Sequence, residues 1–91
     1  MAAVYVRGLA FLAAKQGPQG AADFQKILDY PNVAFGGSRP FALVGLARAY
    51  ALQGETVKAR KAYQDFLALW KDADPNIPIL KQAKAEYARL Q

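Results

Sequence analysis

The strongest constraint on this chain lies in residues 41–70, FALVGLARAYALQGETVKARKAYQDFLALW, where two apolar stripes of helical period meet at Gln53-Gly54. Leu43, Leu46, Ala47 and Tyr50 fall at i, i+3, i+4 and i+7, so they share one helix face, and that face must be buried. Ala59, Tyr63, Phe66 and Trp70 form a second stripe at i, i+4, i+7 and i+11. Between them, Gly54 stands where a helix would end in the left-handed conformation. Glu55-Thr56 bring an acid and a hydroxyl to the positive start of the next helix. Two short helices with one narrow stripe each are marginal alone, so the turn predicts an antiparallel pair whose remaining apolar edges need neighbours.

The rest of the chain reads as a copy of this pair, a spacer and a cap. Residues 2–16 predict a first helix with Val6, Leu9, Ala10 and Ala13 on its buried face, and Gly8-Leu9-Ala10 recurs 37 positions on as Gly45-Leu46-Ala47. Gly17-Pro18 ends that helix and opens the next, proline being at home in a first turn. In residues 19–29, Gly20, Phe24, Ile27 and Leu28 correspond to Ala59, Tyr63, Phe66 and Leu67 at an offset of 39, which predicts a first turn two residues tighter than the second. Residues 30–39, YPNVAFGGSR, predict a loop with Ser38 or Arg39 as the cap before Pro40; Val33 and Phe35 within it need some burial. Longer than the usual ~2–8 residues between packed helices, this loop is either an insertion or a recognition element. Asp72, Asp74, Pro75 and Asn76 mark a further break. Pro78 then opens a last helix with Leu80, Ala83, Tyr87 and Leu90 on one side and Lys81, Lys84 and Arg89 on the wet side, as a terminal cap requires.

Leu43-x-x-Leu46-Ala47-x-x-Tyr50, Gly54 and Ala59-x-x-x-Tyr63 resemble the tetratricopeptide repeat (TPR), whose period is about 34 residues. The resemblance implies an all-α, TPR-like right-handed superhelix of two helix-turn-helix hairpins, residues 2–30 and 40–72, with a capping helix over 77–90, all in one domain. Phe66 stands where the family usually has Ala, and Pro75 comes about one turn later than the family's closing proline, which predicts a longer second helix. Gly45-Leu46-Ala47-Arg48-Ala49-Tyr50, Ala62-Tyr63-Gln64-Asp65-Phe66-Leu67 and Trp70-Lys71-Asp72-Ala73-Asp74-Pro75 also look like the C-terminal TPR segment of bacterial serine/threonine protein kinases and related multidomain signalling proteins. The kinase phosphate loop, His-Arg-Asp and Asp-Phe-Gly elements do not occur in the chain. Met1 opening almost directly into a helix fits a piece of a longer protein.

Chemistry is constrained by what is missing. With no Cys and no His, thiolate nucleophiles, imidazole bases and Cys/His metal sites are excluded. One Ser, one Thr, five Tyr and seven carboxylates remain without a base to activate a nucleophile, so no catalytic residue, cofactor or metal ligand is expected. The N-terminal stretch carries Arg7 in its middle and lacks a positive start, and no apolar run of about 18 residues occurs, so the expected location is the cytoplasm.

What remains is binding. In TPR-like folds the first helix of each hairpin lines the concave face, which puts Val4, Arg7, Phe11, Ala14 and Lys15 there from the first copy and Phe41, Val44, Arg48 and Ala51 from the second. Apolar groups among Arg7, Lys15 and Arg48 suit a protein or peptide partner with acidic groups. The alternative is a homodimer through the uncapped first hairpin, using Tyr5, Phe11 and Leu12. The net charge of +5 also admits nucleic acid, but Lys58, Arg60 and Lys61 lie along one hairpin helix as a solvated face would, so nucleic acid is not the expected partner.

Overall fold

A computed structural model describes residues 2–29, 38–71 and 76–90 of the chain. These residues form five α-helices, α1 (Ala2–Ala13), α2 (Gly17–Asp29), α3 (Ser38–Leu52), α4 (Thr56–Leu69) and α5 (Pro78–Arg89), with no strand among them. Each helix packs on its successor. Arg7 and Gly8 meet Asp23 and Phe24, Phe24 meets Gly45, Tyr50 meets Lys58, and Tyr63 meets Glu86. The central helix, α3, also touches α1, and Arg48 reaches α5. Ala42, Leu43, Val44, Leu46, Ala47 and Ala49 on α3 are therefore all buried, because neighbours surround it.

The core has two lobes that share α3. Ala21, Phe24 and Ile27 of α2 pack with Ala42, Leu46 and Ala49, while Ala62, Tyr63 and Phe66 of α4 and Leu80 and Ala83 of α5 pack with Leu43, Val44 and Ala47. Small residues set the spacing. The Phe24 ring lies between Gly8 and Gly45, so close that a Cβ at Gly8 would come within 2.8 Å of it and one at Gly45 within 2.5 Å. The glycines of the paired Gly-Leu-Ala segments thus have one packing role, which is to admit a buried phenylalanine between α1 and α3.

Both hairpin turns are closed in the same way. Gly54 (φ +74) donates to the Ala51 carbonyl and Glu55 to that of Tyr50; Lys15 (φ 60) donates to the Leu12 carbonyl and Gln16 to that of Phe11. These are paired Schellman closures, one built on the expected glycine and one on a lysine. Each turn has three residues, so the expected tighter first turn is corrected: the two extra residues lie in α3, which runs further past Gly45 than α1 does past Gly8. Accordingly α1 ends at Ala13, not Gln16, and α2 begins at Gly17. Ser38 and Arg39 lie inside α3 instead of capping it, and Glu55 precedes α4 without a side-chain cap bond. At 14 residues against 13 for α2, α4 is longer by one residue. Pro78 opens α5 as expected, with Ile77 before it. Val33, Phe35, Asp72, Asp74 and Pro75 lie outside the described residues. No described helix is long and apolar enough to cross a membrane.

Candidate interaction surface

The first helix turns its expected buried face outward. Val6 is 62% and Leu9 38% exposed, and Ala10 and Ala13 are exposed beside them. Their counterparts Leu43, Leu46 and Ala47 are buried and Tyr50 is half-buried, because α2 and α4 flank α3. α1 is held through another side, Tyr5, Gly8 and Leu12, at i, i+3 and i+7, with Tyr5 edge-on to Phe24 at 5.8 Å. Of the three residues expected to pair with a second copy, Tyr5 and Leu12 are thus turned into the first core lobe and Phe11 is half-buried.

The only charge on α1, Arg7, is held beside this stripe. Its Nε donates to Asp23 Oδ2 at 2.9 Å and its Nη2 to Oδ1 at 2.7 Å. Asp23 is buried while the Arg7 side chain is 53% exposed, so the pair closes the α1–α2 seam from the solvent side. The bidentate bonds and charge of Arg7, with a contribution from Lys26, hold the Asp23 carboxyl below the usual carboxylate range despite its burial. The same bonds raise Arg7.

A second network joins three helices. Arg48 of α3 donates through Nε to Glu86 Oε1 and through Nη2 to Oε2, both at 2.8 Å, and reaches Gln82 at 3.2 Å. Tyr63 of α4 donates its hydroxyl to Glu86 Oε1 at 2.6 Å. Burial pushes the Glu86 carboxyl up, but the bonds from Arg48 and Tyr63 and the charges of Arg48 and Arg89 outweigh it, so Glu86 titrates below its ordinary value. Burial, then the bond to Glu86, pushes the Tyr63 hydroxyl far up. Nearby, Gln64 donates to the Tyr87 hydroxyl at 2.9 Å. α5 is therefore locked by a polar clamp at the edge of the Leu80–Ala83 contact.

These contacts separate the residues expected to line a concave binding face. Val44 is 1% exposed, under α5, and has no surface to offer. Arg48 is committed to Glu86, and Arg7 to Asp23. Lys15 is exposed in the first turn. Phe41 keeps part of its ring exposed but leans edge-on against Trp70 at 6.0 Å. The side chain of Val4 lies outside the described set. The exposed large apolar groups of α1, Val6 and Leu9, lie on its outer face. Asp23 and Glu86, which orient the two arginines, were not among the expected site residues.

Comparison of the chain with protein-family models, curated proteins and solved structures finds no match.

Proposed function

We propose that this chain is a protein-interaction module with a TPR-like arrangement, and that a helix of its partner docks on the outer face of α1. The observation that carries the reading is the Val6–Leu9–Ala10–Ala13 stripe, which is open on α1 while the matching stripe of α3 is packed. Three features support a TPR-like right-handed stack of hairpins: the ordered packing of each helix on the next, the paired Schellman turns, and the matched burial of Gly20, Phe24, Ile27 and Leu28 with Ala59, Tyr63, Phe66 and Leu67. α5 serves as the cap, covering Tyr63 and Phe66 as α3 covers Phe24 and Ile27. A place near the C-terminus of a bacterial, cytoplasmic signalling protein follows from the sequence resemblance and belongs to this proposal.

Self-association is the second reading, and one observation favours it. The stripe carries no unpaired charge, since Arg7 is bound to Asp23, so two copies can meet there without opposing like charges.

The test is photo-crosslinking in cell extract from benzoylphenylalanine placed at Leu9, with Lys81 on the far side of α5 as the control position. Adducts from position 9 that vanish on adding Val6→Glu support the module, and an adduct of twice the chain's own mass selects self-association. Equal yields from both positions refute the reading.

A further inference from the structure

A second surface, independent of the α1 stripe, lies under α5. Val44 and Ala47 of α3 and Tyr63 and Phe66 of α4 are buried there with Leu80 and Ala83 of α5. Those two are the buried side chains of α5, and one is an alanine, whereas α4 buries Ala59, Ala62, Tyr63 and Phe66. Much of the remaining hold on α5 is polar. Arg48 and Tyr63 converge on Glu86, and Gln64 bonds Tyr87. The Arg48 and Glu86 side chains keep 31% and 24% of their surface exposed, so water can compete for their bonds. α5 has 12 residues, too few to hold a helix alone, so docking must also order it. The contact is thus sharply specified by its charges and only modestly held by apolar burial.

We propose that the α3–α4 face under α5 is a helix-binding site, that α5 fills it from within the chain as an autoinhibitory segment, and that a partner helix carrying the same recognition pattern displaces α5. The pattern is written in α5 itself: Leu80, Ala83, Glu86 and Tyr87 fall at i, i+3, i+6 and i+7, on one face of about two turns. Each position has its own reason. The large apolar residue packs beside Val44 and Phe66, and the small one lets the helix backbone come close to α3 and α4. The acid answers the Arg48 guanidinium, which grips both carboxylate oxygens at 2.8 Å, and the Tyr63 hydroxyl at 2.6 Å. The aromatic lies against the Tyr63 ring at 6.4 Å, within bonding reach of Gln64. With α5 lifted, Arg48 and the Tyr63 hydroxyl would stand on an apolar floor without their acceptor, which selects an acidic helix over a neutral one.

The probe is a synthetic, N-acetylated peptide of residues 77–90, titrated into the full ¹⁵N-labelled chain in three forms: the parent, Glu86→Gln and Leu80→Asp. Both substitutions loosen the resident α5 and leave α3 and α4 untouched. In the parent the tethered α5 competes at high effective concentration, so the peptide should bind weakly. The Glu86→Gln chain should bind it about tenfold more tightly, with saturable amide shifts at Val44, Ala47, Tyr63 and Phe66, and Leu80→Asp should bind it at least as well. A twin peptide that itself carries Glu86→Gln should bind either opened chain about tenfold more weakly. Should Leu80→Asp unfold the chain, seen as lost amide protection in α2, the Glu86→Gln chain decides alone. Four outcomes overturn the proposal: no saturable shift in the Glu86→Gln chain, equal affinity for that chain and the parent, a twin that binds as well as the probe, or shifts at these residues with the concentration of the parent chain alone, which would make α5 of a second copy the occupant.

Discussion

Gly45 gives the sharpest test of the packing. In an exposed helix interior, Gly→Ala gains about 1 kcal/mol from helix propensity. At position 45 the added Cβ would lie 2.5 Å from both Cε1 and Cζ of Phe24 and 2.8 Å from Cδ1. Ordinary carbon–carbon contact is about 3.5–4 Å, so the ring or α3 must move by about 1 Å. Phe24 is fully buried, with Gly8 on its other side and Tyr5 at its edge, which leaves it nowhere to go. Overpacking of this kind costs about 1–3 kcal/mol, and here the upper part of that range applies, so Gly45→Ala is expected to destabilise by about 1–2 kcal/mol net. Urea denaturation followed by circular dichroism measures this directly, and the thermal midpoint should fall by about 5–10 °C. The cycle with Phe24→Leu supplies the control: once the ring is gone, Gly45→Ala should become stabilising, giving a coupling of about 2 kcal/mol. Gly8→Ala meets the same ring at 2.8–3.1 Å, but α1 is packed on one side only and can back away, so it should lie within about 0.5 kcal/mol of the parent. If Gly45→Ala raises stability, Phe24 is not wedged as described.

The clamp on α5 can be cut at one atom. Glu86→Gln removes the charge that Arg48 and Tyr63 converge on, and should weaken α5 docking by about 1–2 kcal/mol. Amide exchange should then speed up in α5 and not in α2; uniform loss of protection would mean that α5 does not open separately. The pH dependence follows from the shifted groups. Asp23 and Glu86 have folded-state values below their unfolded ones, so their stabilisation is complete above about pH 4 and is lost as pH falls through the folded values. Tyr5 and Tyr63 are shifted upward, chiefly by burial, so their contribution is complete below about pH 10 and is lost as pH rises further. With no His or Cys, stability should be flat from about pH 5 to 9, and a change above about 1 kcal/mol within that window would contradict the assignment.

Much of this fold was legible because periodicity reports which residues share a face. The stripes of α2, α3 and α4, the left-handed Gly54 and the proline that opens α5 all follow from it. Periodicity does not say whether a neighbour covers the face, which is why Val6 and Leu9 were expected inside. Nor does residue type reveal a left-handed lysine: Lys15 adopts the conformation because the Schellman bonds of α1 need a residue there, against its own preference. The partners of the two arginines were not legible because they lie 16 and 38 positions away on other helices. A signal was nevertheless present. Asp23 sits at i+3 from Gly20 inside the stripe that continues through Phe24 and Ile27, and Glu86 at i+3 from Ala83 inside the stripe that continues through Tyr87 and Leu90.

An acid within an apolar stripe requires a cation on the helix that covers it. That requirement explains why this chain places its bidentate pairs where it does. Its seams are lined with Gly8, Ala47, Ala62 and Ala83, and small residues let two helices slide by a turn with little loss of contact. Such a slip would strand Asp23 or Glu86 without its arginine at a buried or half-buried site, at a cost that apolar contact alone could not impose. Arg7–Asp23 fixes α1 on α2, and Arg48–Glu86 fixes α5 on α3. The two ends of the stack are thereby set in register, and the open stripe of α1 is held at a defined orientation.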